Sequence, residues 1–408
     1  MKTISNIDFQ NKKVLIRVDF NVPLNEEFVV TDNTRIKAAI PTIQKVIQSG
    51  GSVILMSHLG RPKSGPEDKF SLRHIVSELE ILLEKKVHFI NDCISDEGIE
   101  KTQNLQNGEV ALLENLRFYE EETQGNVEFA ERLSKHGDIY INDAFGTAHR
   151  AHASTAIIAQ FFPDSKYFGL LLENEIKNID ALLKNPKSPT LAIIGGAKVS
   201  SKISIIQNLM DIVDEIIIGG GMAYTFIKAS GGETGNSLVE NDHIETAQKV
   251  MALAKEKGVQ LHLPIDTKIA DKFSNDAQTQ TCAIDSIPSG WMGLDIGDKT
   301  LESFEKIIVN AQTILWNGPM GVFEMESFKT GTESIANALV KATEKGAFTL
   351  VGGGDSVAAI NKLNLSDKVS YVSTGGGAML EYIEGKQLPG ITAIRQEVKR
   401  KIYFLFWS

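Results

Sequence analysis

Residues 190–203 read TLAIIGGAKVSSKI: a short apolar run, two glycines, then hydroxyl side chains ahead of a second apolar pattern. The run does not alternate apolar with polar, which suits a strand buried on both faces, as in a parallel sheet. Ser200 and Ser201 supply capping chemistry for a helix expected over 200–210, with Ile203, Ile206 and Met210 on its inner side. A buried strand, a glycine turn and a helix together form the repeating unit of a doubly wound α/β sheet.

The same unit recurs in both directions along the chain. C-terminal to 190–203, strands are expected at 215–220, 259–264, 313–318, 348–354 and 369–375. N-terminal to it, they are expected at 14–20, 52–58, 87–90, 110–116 and 139–145. Residues 34–49 place Ile36, Ile40, Ile43 and Ile47 at helical spacing, and Gly50-Gly51 can end that helix. The two strand series are separated by 168–189, whose apolar positions suit a helix stopped by Pro186 and Pro189. The expected fold is therefore α/β, with two doubly wound, Rossmann-like parallel-sheet domains joined by a helix and facing a cleft. The expected boundaries are 1–167, a linking helix over 168–186, a second domain over 187–389, and a C-terminal segment, 390–408, returning to the first domain.

Composition narrows the function. The chain has 408 residues, too many for one ordinary core and suited to two. Its net charge of -10 argues against a nucleic-acid partner. Cys93 and Cys282 lack metal-ligand spacing and read as free thiols in a reducing compartment. MKTISNIDFQ has no signal-peptide pattern, and no run reaches the ~20 apolar residues of a membrane helix. A cytoplasmic protein without a membrane partner is expected.

In open α/β sheets, ligands bind beyond the carboxyl ends of the strands. In the first half those positions carry Asp19, Asn21, Arg35, His58, Gly60, Arg61, Arg117, His149, Arg150 and His152. An acidic chain has gathered cations at one end of one sheet. Arginine grips phosphate and carboxylate with a planar fork, so the expected ligand is a small polyanion. The histidines read as hydrogen-bond donors to that anion in preference to general bases. In the second half the strand ends carry glycine: Gly195-Gly196, Gly219 to Gly221, Gly318, Gly352 to Gly354 and Gly375 to Gly377. Glycines let backbone N–H groups approach phosphate or a flat base. Lys198 and Lys202 follow at a spacing that sets both on one helical face, and Asp355 is placed to reach Mg²⁺ on a nucleotide phosphate. The chain contains neither a P-loop motif nor a clean G-x-G-x-x-G opening a βαβ unit, and no G-x-S-x-G. A catalytically silent nucleotide binder and a dehydrogenase remain as alternative readings.

Ten blocks, in order, carry a family name. RVDFNVP (17–23), TRIKAAIPTI (34–43), SHLGRP (57–62), LLENLRF (112–118), NDAFGTAHRAHAS (142–154), GGAKVSSKI (195–203), GGGMAYTF (219–226), WNGPMGVFE (316–324), GGGDS (352–356) and STGGGA (373–378) together resemble phosphoglycerate kinase. The resemblance implies that the first domain binds 3-phosphoglycerate or 1,3-bisphosphoglycerate through Asp19, Asn21, Arg35, His58, Leu59, Gly60, Arg61, Arg117 and Arg150. It implies that the second binds Mg-ADP or Mg-ATP through Lys202, Gly293, Glu324, Gly353, Gly354, Asp355 and Ser356, with Asp355 toward the metal. Arg35, Lys198 and amides near Gly375 and Gly376 match the groups that stabilise the transferring phosphoryl. A monomer with hinge-bending domains is expected. Two departures stand out: Met379 occupies a position where the family commonly has a small residue, and RQEVKRKIYFLFWS continues past the family's usual end.

Overall fold

The computed structural model describes residues 2–63 and 65–395. The chain divides into two compact units, 2–176 with 387–395, and Lys177–Lys386.

The first unit is built on β1 (Lys13–Arg17), β2 (Ser52–Met56), β3 (Val87–Ile90), β4 (Val110–Leu113), β5 (Ile139–Asn142) and β6 (Lys166–Phe168). They form one parallel sheet in the order β3-β4-β2-β1-β5-β6. Every residue of β2, β4 and β5 is buried, which accounts for their unbroken apolar character. One face packs Val14, Ile16, Val53 and Leu112 against Ile36, Ile43 and Val46 of the helix Thr34–Gln48 and against Leu79 and Leu83. Burying each such side chain stabilises the fold by about 1.5–3 kcal/mol. The chain leaves β1 toward β2 and later returns to set β5 on its other flank, so the topological switch lies beside β1.

In the second unit the strands are β7 (Thr190–Ile194), β8 (Glu215–Ile218), β9 (Glu233–Thr234), β10 (Gln260–His262), β11 (Asp266–Ala270), β12 (Thr279–Ala283), β13 (Ser286–Ile287), β14 (Met292–Ile296), β15 (Thr313–Asn317), β16 (Phe348–Val351) and β17 (Tyr371–Val372). Six form a parallel sheet in the order β10-β8-β7-β15-β16-β17, with the switch between β7 and β15. An antiparallel ladder, β12-β11-β14, and a small pair, β13-β9, complete it.

Several local expectations are corrected. The helix expected over 200–210 is Ile203–Leu209, and Ser200 and Ser201 do not cap it. The Ser200 amide and hydroxyl donate instead to Glu240, at 3.0 and 2.6 Å. Lys198 and Lys202 therefore precede the helix and do not share a helical face. The helix expected over 168–186 runs Leu170–Lys184, and the division between units falls inside it, after Ile176 rather than at 167. The helix Pro389–Arg395 packs in the first unit, where the Gly390 amide donates to the Ala148 carbonyl at 2.9 Å. Residues 396–408, including Tyr403–Trp407, lie outside the described residues.

Candidate active site

At the carboxyl end of the first sheet, a guanidinium and a carboxylate meet: Arg35 Nη1 donates to Asp19 Oδ2 at 3.0 Å. The same nitrogen lies 3.3 Å from the Asn21 carbonyl oxygen. Asn21 Oδ1 accepts the Gly60 amide at 2.8 Å, and Arg117 Nη1 donates to the Gly60 carbonyl at 2.6 Å. The Leu59 amide is held by Asn115 Oδ1 at 3.2 Å. These bonds fix the loops after β1 and β2 together, so Asp19, Asn21, Arg35, Leu59, Gly60 and Arg117 belong to one constellation. Arg61, Arg117, Arg150 and His152 line a single cavity of about 310 Å³.

The electrostatics show how tightly the cations are gathered. His58 is 4% exposed. Its imidazole is held well below the usual value, first by burial and then by Arg17, Arg117, Arg150 and Arg35. Burial, followed by Arg17, Arg117 and Arg150, pushes His152 down to about 4. The Arg117 guanidinium itself falls to about 10, through burial and then Arg150 and Arg17. The fold holds positive groups against their mutual repulsion, and an anion entering this pocket relieves it. His149 Nε2 lies 3.3 Å from Arg150 Nε, which makes it a neighbour of the cluster.

The sequence reading passed over Arg17, which is 1% exposed in the middle of the cluster. Its Nε donates to Ser154 Oγ at 2.8 Å, and Nη2 donates to His58 Nδ1 at 3.2 Å. A signal was available: VLIRVDF sets an arginine inside an otherwise apolar buried strand, and a buried charge demands partners.

The second site forms at the β7/β15 switch, where two backbones nearly touch. A Cβ on Gly195 would meet the Gly318 and Pro319 carbonyl oxygens at 2.6 and 2.2 Å. Only glycine permits that crossing, and it opens the strand ends toward a ligand. Asn317, 1% exposed at the end of β15, organises the surroundings. Its Nδ2 donates to the Gly352 carbonyl at 2.8 Å, while Oδ1 accepts from Lys202 Nζ. Ser356 Oγ accepts the Gly318 amide at 2.6 Å. Burial lowers the Lys202 ammonium, an effect opposed by Asp355. Asn317 was also missed in the sequence, where it looks like the polar last residue of an apolar run.

A cavity of about 460 Å³ opens beside this switch, lined in part by Gly196, Gly221, Gly293, Glu324 and Asp355. Its apolar wall includes Leu238 and Phe273, 49% and 61% exposed, a surface suited to a flat base. Asp355 is exposed in the first turn of the helix Gly354–Lys362, whose N-terminal amides favour phosphate. Gly353 precedes that helix and packs on Asn317. Lys198 is exposed on the segment after β7. Gly375 and Gly376 follow β17. The Gly375 amide already donates to Ser373 Oγ at 3.0 Å, whereas Gly376 stands at the start of the helix Gly377–Ile383. Met379 is buried, with its thioether against the Gly352 α-carbon, which explains how a large side chain is accommodated there.

Two parallel-sheet units, one with a cationic pocket and one with a glycine-walled pocket at its strand ends, define a two-domain α/β protein. The family model described as phosphoglycerate kinase matches residues 4–386, and phosphoglycerate kinases of Porphyromonas gingivalis and Thermosynechococcus vestitus are 52% and 50% identical, over 96% of this chain and 100% and 97% of theirs. The solved phosphoglycerate kinases of Coxiella burnetii (44% identical, TM-score 0.88) and Pyrococcus horikoshii (31%, TM-score 0.84) each cover 97% of this chain, and are themselves covered over 99% and 98% of their length. The chain belongs to the phosphoglycerate kinase family, whose enzymes transfer a phosphoryl group reversibly between 1,3-bisphosphoglycerate and ADP, giving 3-phosphoglycerate and ATP.

Proposed function

We propose that each pocket takes one substrate of this reaction: 3-phosphoglycerate or 1,3-bisphosphoglycerate in the first unit, ADP or ATP in the second. The observation that carries the reading is the convergence of Arg17, Arg35, Arg117 and Arg150 on one buried imidazole in a chain of net charge -10. Arg61, Arg117 and Arg150 bind the substrate's phosphate, His58 donates to it, and Asp19 and Asn21 orient its polar groups and the Arg35 guanidinium. Leu59 and Gly60 shape the wall. In the second unit Gly293 and the apolar wall face the base and Glu324 accepts from the sugar. Lys202, Gly353, Gly354 and Ser356 serve the phosphates.

The attacking group is a carboxylate, ionised at neutral pH, so no general base is required. Catalysis then rests on positioning and on neutralising charge. Arg35 neutralises the phosphoryl at the acyl end. Lys198 and the Gly376 amide neutralise it at the nucleotide end, and the Gly375 amide joins them only if it leaves Ser373. Each well-aimed donor lowers the barrier by roughly 3–4 kcal/mol.

Mg²⁺ fits this site as a passenger on the nucleotide. Among the described residues no three His, Cys, Asp or Glu side chains could hold a metal ion, yet Asp355 presents one exposed carboxylate at the phosphate end. A hard cation that keeps its waters and takes one carboxylate plus phosphate oxygens suits that donor set. When bound, it supplies positive charge to the phosphate oxygens. No helix among the described residues is long and apolar enough to cross a membrane. A monomer acting in the cytoplasm completes the proposal.

A coupled assay tests the whole reading. ATP consumption should depend on both 3-phosphoglycerate and Mg²⁺. Turnover without the acid, or NADH binding in place of ATP, would overturn it.

A further inference from the structure

Glu122 is the third of three consecutive glutamates and the one that turns inward, with 0% exposure. A buried carboxylate is costly unless its oxygens are bonded and its charge is matched. Both oxygens accept from one residue: Oε1 takes the Ser154 hydroxyl at 2.6 Å and Oε2 the Ser154 amide at 2.9 Å. Having spent its proton on Glu122, Ser154 Oγ has only lone pairs left, and Arg17 Nε donates into them at 2.8 Å. Arg17 Nη2 in turn faces His58 Nδ1 at 3.2 Å. A guanidinium only donates, so Nδ1 must accept and the ring proton sits on Nε2. The Asp19 carboxylate, 3.9 Å from Nδ1, is too distant to compete for that nitrogen. Every link therefore has one polarity: Glu122 fixes it at Ser154, and the guanidinium that Ser154 holds in place fixes it at His58.

We propose that Glu122 is a positioning residue for the acid pocket, acting through Ser154 and Arg17 to present His58 to the substrate as an Nε2–H donor. The inference rests on the acid-pocket reading above. Glu122 is also a buried carboxylate joined to the Arg17 guanidinium through Ser154 Oγ, a counter-charge close to the cluster. A glutamine at 122 has the same shape but can accept only one of Ser154's two hydrogen bonds, so its N–H either opposes the Ser154 amide or reverses the link to the hydroxyl, and both loosen the rest.

The test uses the full-length enzyme, with Glu122→Gln, Ser154→Ala and the double variant. Each single change should raise KM for 3-phosphoglycerate about 10-fold, the effect of losing one charge-assisted hydrogen bond, with KM for MgATP unchanged. The double variant should be no worse than either single one, because both cut the same relay. Nitrogen-15 spectra of the His58 ring should show one Nε2–H tautomer in the parent and a mixture in Glu122→Gln. Additive effects, equal changes in both KM values, or an unaltered tautomer would overturn the relay. If Glu122→Gln fails to fold, Ser154→Ala decides alone, and an unchanged KM for 3-phosphoglycerate overturns it. His58→Gln separates the two layers. If it leaves that KM unchanged, the acid-pocket reading falls. If it raises the KM while Glu122→Gln does not, only the relay falls.

Discussion

Arg35 and Asp19 are already joined, Nη1 to Oδ2 at 3.0 Å, although the Arg35 side chain remains 40% exposed. The carboxylate aims the guanidinium without burying it, so the charge remains available to a ligand. A pair this exposed contributes at most about 1 kcal/mol to folding, which makes its conformation more important than its stability.

Arg35→Ala should therefore lower kcat by about 10²–10³-fold, the loss expected for one aimed electrostatic donor, while ATP binding to the second unit stays intact. Steady-state kinetics beside ATP titration calorimetry measure both. A near-normal kcat removes Arg35 from the reaction.

Asp355→Asn keeps the size of the side chain and removes its charge. If the carboxylate serves the cation, nucleotide affinity should drop about 10-fold in Mg²⁺ and hardly change when EDTA is present. An equal loss under both conditions would assign Asp355 to the phosphate loop instead.

Gly293 faces the Tyr224 phenol so closely that an added Cβ would lie 2.0 Å from the hydroxyl oxygen. Tyr224 Oη is itself bonded to Thr267 Oγ1 at 2.8 Å, so the ring has no easy retreat. Gly293→Ala should push β14 or the ring into the nucleotide cavity and raise KM for ATP severalfold, with KM for 3-phosphoglycerate unaltered. Overpacking of this kind costs about 1–3 kcal/mol, which a thermal melt should register.

Acid should destabilise the protein through its histidines. His58, His136 and His152 are all held below the unfolded value, first by burial, so the unfolded chain takes up protons that the native state refuses. Their contribution is complete above the unfolded value of 6.5 and is lost as pH falls toward about 4, the level of His152. Asp143 and Asp295, raised by burial to about 6 and about 7, act oppositely, with a contribution lost as pH rises through those values. His152→Gln should lose less stability than the parent between pH 6.5 and 4.5 in denaturant titrations. An identical slope would show that His152 is not perturbed in the folded state.

The sheets were legible because a strand covered on both faces must be apolar throughout, and VALLENL or TILWNG reads that way directly. Most expected strands ran two or three residues too far. Val18 and Phe20 illustrate the cause: both are 0% exposed, yet they lie beyond the ladder, which ends at Arg17. Burial persists under a loop where pairing does not. The β12-β11-β14 ladder left no such trace, because TQTCA is mostly exposed and follows no apolar period. Ser200 and Ser201 misled because Glu240, forty positions away, takes the hydrogen bonds of Ser200, while the Ser201 hydroxyl donates back to the Lys198 carbonyl at 2.9 Å. In the site, exposed arginines and glycine clusters stood out. Arg17, Glu122 and Asn317 did not, since their importance lies in whom they touch.

Because the helix Pro389–Arg395 belongs to the first unit while Lys177–Lys386 forms the second, the first unit is completed by a segment made only after the whole of the second. At roughly 5–20 residues per second the ribosome needs about 10–40 s to produce the intervening stretch. Throughout that interval the Ala148 carbonyl waits for the Gly390 amide. Released chains ending at residue 386 should present a protease-resistant second unit and a nickable first one, so translation itself imposes an order of maturation that refolding from denaturant need not follow.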